Sequence, residues 1–254
     1  PVRGLEDTLS RISRDEVIDR FESMQHGKKM MVTAAGNLLM DDLVAEAAES
    51  MTTLANGEVS EETIDSNTQK DVSDSGPRYK YDWRDINQLH CVIGTEGLAK
   101  RDDDRFPLEM LNVIMGQGMS SRLFRRVRKD RGLAYQITSS TQYYLDTGLF
   151  FIYGAIAPAN LDRFLNLVLK EFESIKAEKV TEEELELAKK KTKGNLVLGL
   201  ENNRALMSRL GITALHKNDF LSVAEVVEKI EDVTRDDIQR VAQRVLEEDD
   251  INYS

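Results

Sequence analysis

The chain has 254 residues, 41% hydrophobic and 31% charged, which is enough for a sizeable core in one or two domains. Its formal net charge of −11 argues against general binding to nucleic acid or to an anionic membrane, while leaving room for a local basic patch. Cys91 is the single cysteine, so no internal disulfide forms, and no apolar run approaches the roughly 18–20 residues of a membrane span.

In chain order, Ser13-Arg14-Asp15-Glu16 reads as a capping box, followed by a helix with Val17, Ile18 and Phe21 on its apolar face. Met30 to Ala35 is a compact apolar run, expected to be a buried strand ended by Gly36-Asn37. Asp41 or Asp42 opens a helix with Leu43, Val44, Ala47 and Ala48 inside. Asn56 to Gly76 is polar and poor in apolar residues, which marks it as a linker. Arg78 to Trp83 and Gln88 to Gly94 read as strands. A charged turn, Arg101 to Asp104, precedes a helical run from Phe106 to Met115.

Gly116 and Gly118 break that run. Ser120 or Ser121 is placed to cap a new helix, on which Leu123 and Val127 face the same way. Six basic residues lie between Arg122 and Arg131, and Gly132 can take the left-handed conformation that stops a helix. Strands are expected over Tyr135 to Tyr144 and Gly148 to Ala157. Pro158-Ala159-Asn160 opens an amphipathic helix through Phe172, and Thr181-x-x-Glu184 caps a long one. Arg204 to Leu215 and Ser222 to Ile230 are further helices. Thr234-Arg235-Asp236-Asp237-Ile238 opens the last one, 221 residues after the similar Ser13-Arg14-Asp15-Glu16-Val17. Each copy precedes the start of an apolar strand, Met30 onward and Ile251 onward, which suggests a large internal duplication. The class expected is α+β, with helices on one face of a mainly antiparallel sheet.

Pro1 is not a natural start and Ile251 to Ser254 reads as a strand beginning, so both ends are expected to be cut. The missing signal peptide then leaves the compartment open, with the cytoplasm favoured.

The residues by themselves give little chemistry. His26, His90 and His216 form no metal-binding frame, and His90 and Cys91 are neighbours in a strand, pointing to opposite faces. The Gly116-x-Gly118 turn follows a helix and lacks the Gly-Lys-Ser/Thr of a phosphate loop. The basic run has no interleaved aromatics for base stacking, so a solvated face is the better reading.

One block is more specific. Gly-Gln-Gly-Met-Ser-Ser-Arg-Leu-Phe from Gly116, then Arg-Gly-Leu-Ala-Tyr from Arg131, then Asp146-Thr147-Gly148-Leu149-Phe150 resembles the second homologous half of the pitrilysin/insulinase-type zinc metallopeptidases. The mitochondrial processing peptidase and its bacterial relatives belong there. The resemblance implies that residues 1–55 end a first, metal-binding-type domain, 56–76 form the linker, and 77–254 form a second domain that binds no metal. Zinc would be a cofactor of the parent enzyme, held outside this chain by an H-x-x-E-H half. That half, in the same parent chain or in a partner subunit, would be the main partner. A homodimer is compatible, and neither nucleic acid nor membrane is expected.

By the same resemblance, Arg128 and Tyr135 stand at the seven-residue spacing of the family's substrate-binding Arg and Tyr. A peptide or unfolded polypeptide would be the substrate, with Arg128 anchoring carbonyls and Tyr135 donating to the developing oxyanion. The expected function is the substrate-clamping part of a zinc peptidase. A non-catalytic member of the family is the alternative. A phosphate or nucleic-acid module using the basic helix 121–131 is a third reading.

Overall fold

A computed structural model describes residues 5–24, 30–52, 79–83, 86–215, 221–247 and 251–253. The chain divides into two units. One holds the described residues up to 52 together with 202–215, and the other holds 79–201 and 221–253.

The first unit is helical: α1 Glu6–Leu9, α2 Arg14–Met24, α3 Met40–Ser50 and α7 Asn203–Leu215. The capping box before α2 forms as its spacing requires. Ser13 N–H donates to the Glu16 carboxylate at 2.7 Å, and Glu16 N–H donates to Ser13 Oγ at 3.2 Å. None of these four helices contains a buried residue. Val17, Phe21 and Met24 along α2 stay exposed.

The second unit contains β1 Leu89–Glu96, α4 Arg105–Gly116, β2 Ala134–Tyr143, β3 Gly148–Ile156, α5 Leu161–Ala177, α6 Glu182–Leu200, α8 Val223–Asp232, α9 Arg235–Val245 and the two-residue β4 Asn252–Tyr253. The strands form one antiparallel sheet in the order β2-β3-β1-β4. Their alternation sends Cys91 and Ile93 of β1, Ile137 of β2, and Phe150 and Ile152 of β3 to a buried face. His90, Val92, Phe151 and Tyr153 occupy the other, more accessible face. Burial pushes the Cys91 thiol up to about 11, so it behaves as a neutral core group.

The helices cover the buried face. Gly154 of β3 leaves room for the Phe164 ring of α5, and Phe150 meets Phe172 with ring centroids 6.4 Å apart. α4 lies across β2 and also touches α6 and α9. Its Glu109 accepts from Thr141 Oγ1 at 2.8 Å, and burial holds its carboxyl above the ordinary glutamate range. Capping boxes start α6 at Thr181/Glu184, α8 at Ser222/Glu225 and α9 at Thr234/Asp237. The α+β class expected from the sequence is the one observed.

Local expectations are corrected at four places. Residues 30–35 pair with no strand, because the described elements of their unit are helices and a ladder needs a neighbouring strand. Val44 and Ala48 of α3 are exposed; only Leu43 and Ala47 are half-buried. Of the strand expected from Arg78 to Trp83, the described residues show a single bridge, Tyr79 to Tyr253. Neither Ser120 nor Ser121 caps the turn that follows, which has no side-chain cap; the buried Ser121 hydroxyl turns back and donates to Gly118 O at 2.7 Å. The expected linker, His26 and His216 lie outside the described residues. No helix among the described residues is long and apolar enough to cross a membrane.

Candidate functional site

The glycine turn after α4 is built into the sheet. A Cβ at Gly116 would lie 2.3 Å from the backbone nitrogen of Ser139, so only glycine lets α4 end against β2. Gly118 has φ +88°, in the region that disfavours side chains. Gln117 donates to Ser139 O, and Lys191 of α6 donates to Gln117 O. The Ser139 hydroxyl is buried within 2.8 Å of Asn112 O.

Beyond this turn the backbone makes one α-helical step at Arg122 and Leu123, then widens into a π-helical turn, Phe124–Lys129. Asp130 N–H reaches back five residues to Arg125 O at 2.9 Å. Leu123 and Val127 point into the core, as their spacing predicts. Two arginines pin the segment to the helices behind it. Arg122 makes a bidentate pair with Glu184 at 2.6 and 2.7 Å, and that hydrogen bond raises its pKa further. Arg126 pairs with Glu171 of α5, a buried carboxylate whose Oε2 has no hydrogen-bond partner among the described residues.

Arg128 is different. Its guanidinium carbon lies 5.0 Å from the Phe124 ring centroid and 5.9 Å from that of Tyr135, within cation–π range of both. Gly132, at φ +60°, ends the turn and sends the chain into β2. Ala134 pairs with Ile156 and Gln136 with Ala155, so Tyr135 is the extra residue of a β-bulge. The bulge breaks the alternation: Tyr135 and Gln136 are both exposed, Tyr135 at 73%.

The two residues singled out in the sequence therefore meet. Arg128 and Tyr135 line one cleft of about 440 Å³, with Asn87, Gln88, Asn160 and the chain at Gly132–Ala134 and Ala155–Ala157. Phe124 and the three amide side chains escaped the sequence reading. Gln88 and Asn160 flank strands whose pairing brings their ends to this spot, and nothing local marks that. Among the described residues no group of three His, Cys, Asp or Glu is placed to hold a metal, so those residues do not fit a zinc ion. His90 instead contacts Tyr153 OH through Nδ1 at 2.6 Å.

Residues 11–192 match the family described as the Peptidase M16 inactive domain. The chain belongs to this family. An uncharacterized zinc protease of Streptomyces coelicolor is 32% identical over 248 residues, covering 97% of this chain and 54% of its own length. One from Bacillus subtilis is 27% identical over 258 residues, covering 98% of this chain and 59% of its own length. The chain thus spans between half and three fifths of these relatives. Among solved structures, a protease from Helicobacter pylori aligns with TM-score 0.84 at 19% identity, over 98% of this chain and 60% of that one. A peptidase M16 inactive domain from Pseudomonas fluorescens aligns with TM-score 0.71 at 18% identity, over 98% of this chain and 58% of that one. These identities speak to the M16 fold.

Proposed function

We propose that this M16 chain is the substrate-clamping part of a zinc-dependent peptidase, with zinc held by another half in the same polypeptide or in a partner subunit. The observation that carries the reading is the cleft, where two chain segments deliver a guanidinium and a phenol to one place. Arg128 anchors a main-chain carbonyl of the bound peptide. The Tyr135 hydroxyl donates to the oxygen that gains charge as the peptide bond is attacked. The domain proposal runs alongside: residues 1–55 end a first peptidase domain, 56–76 connect, and 77–254 form most of the second. The uncovered apolar side chains of α2 support it, since a tail separated from its core would show them.

The division of labour is testable on the isolated chain. Chelator-treated protein reloaded with zinc and desalted should hold well under one ion per chain and cleave no peptide. One retained equivalent with peptidase activity would place the catalytic centre here and overturn the proposal.

A further inference from the structure

The cleft also carries a charge imbalance that names its ligand more closely. Arg122 and Arg126 each have a carboxylate, Glu184 and Glu171. Arg128, two residues beyond Arg126, pairs with no carboxylate among the described residues, and the cleft has no Asp or Glu among its described lining residues. Its polar side chains besides Arg128 and Tyr135 are the neutral amides Asn87, Gln88 and Asn160. Arg125, Lys129 and Arg131 add three exposed cations on the same stretch, unpaired among the described residues, against the single acid Asp130. The result is a positive island on a chain of net charge −11.

A guanidinium stacked on aromatic rings keeps its charge and its five N–H donors. A peptide carbonyl needs only one of them. A carboxylate matches the planar fork with two parallel hydrogen bonds, and a Lys or Arg side chain is repelled. We propose that the cleft selects acidic peptides: the segment seated at Arg128 carries an Asp or Glu whose carboxylate pairs with the guanidinium. This deepens, and rests on, the peptide-clamping function.

The test uses the 254-residue chain and a labelled, unstructured peptide in three versions, with Glu, Gln or Lys at one central position. Fluorescence anisotropy at low salt should give the Glu version about tenfold tighter binding than Gln, with Lys weakest. Added salt should shrink the difference. Arg128→Ala should erase the Glu–Gln difference, and Arg128→Lys should keep only part of it, since the charge remains and the fork is lost. Equal binding of the three versions, with a uniform loss in Arg128→Ala, would overturn the acid preference and leave the clamp standing. Failure of every version to bind would overturn both. Displacement of the Glu peptide by inorganic phosphate more readily than by free glutamate would reassign the site to a phosphate ligand.

Discussion

Replacing Tyr135 by Phe in the complete peptidase should lower kcat by roughly 10–1,000-fold, the range for losing one donor to a developing oxyanion. Stability should stay within about 0.5 kcal/mol, because the hydroxyl holds nothing among the described residues. The ring is exposed, and its OH has no hydrogen-bond partner among the described residues. The ring remains in the variant, so the contact with Arg128 at 5.9 Å survives. Arg128→Ala should raise KM as well as lower kcat, because it deletes an anchor that acts in the ground state too. Kinetics within twofold of the parent for both variants would show an ordinary strand-end tyrosine and a surface charge.

Gly148→Ala should be the most damaging small change to the fold. Gly148 opens β3, where the hairpin from β2 crosses the chain leaving β1. A Cβ there would lie 2.1 Å from Leu98 O and 2.8 Å from Gln142 O. Both contacts are backbone, so no side chain can swing aside. Gly97 N–H also donates to Gly148 O at 2.9 Å, which holds the two segments together. The strain falls at or above the upper end of overpacking costs, about 3 kcal/mol, and should lower Tm by roughly 6–12 °C. Circular dichroism melting would measure it. A variant melting within about 2 °C of the parent would mean that the segment near Leu98 yields freely.

The lesson of the sequence is uneven for physical reasons. Helices α6 and α9 were legible because their capping boxes are local and form as read. β1 and β3 were legible as short apolar and aromatic runs of strand length; the alternation between their faces is visible only in the burial. Residues 30–35 carried the same apolar signal and formed no strand, since a ladder depends on a partner the local sequence cannot supply. The stretch that forms the π-helical turn at Phe124–Lys129 reads in the sequence as an ordinary helix, with Ser120 or Ser121 as its cap. Leu123 and Val127 still bury, and Arg122 and Arg126 still reach Glu184 and Glu171, so the four-residue spacing was legible while the widening had no local marker. Arg128 and Tyr135 were nominated by resemblance alone. Their meeting depends on the left-handed Gly132 and on the bulge at Tyr135. The glycine was visible in the sequence; the bulge was not.

The most direct test of the clamp asks whether peptide lies against Tyr135. A photoreactive benzoylphenylalanine replacing Tyr135 in this chain, irradiated with the Glu-containing peptide, should crosslink to it. Unlabelled peptide should compete, and Arg128→Ala should lower the yield severalfold at a peptide concentration below saturation. The same probe replacing Tyr144, an exposed tyrosine beyond the far end of β2, should give none. Absence of a crosslink at position 135, or equal yield at 144, would contradict the account.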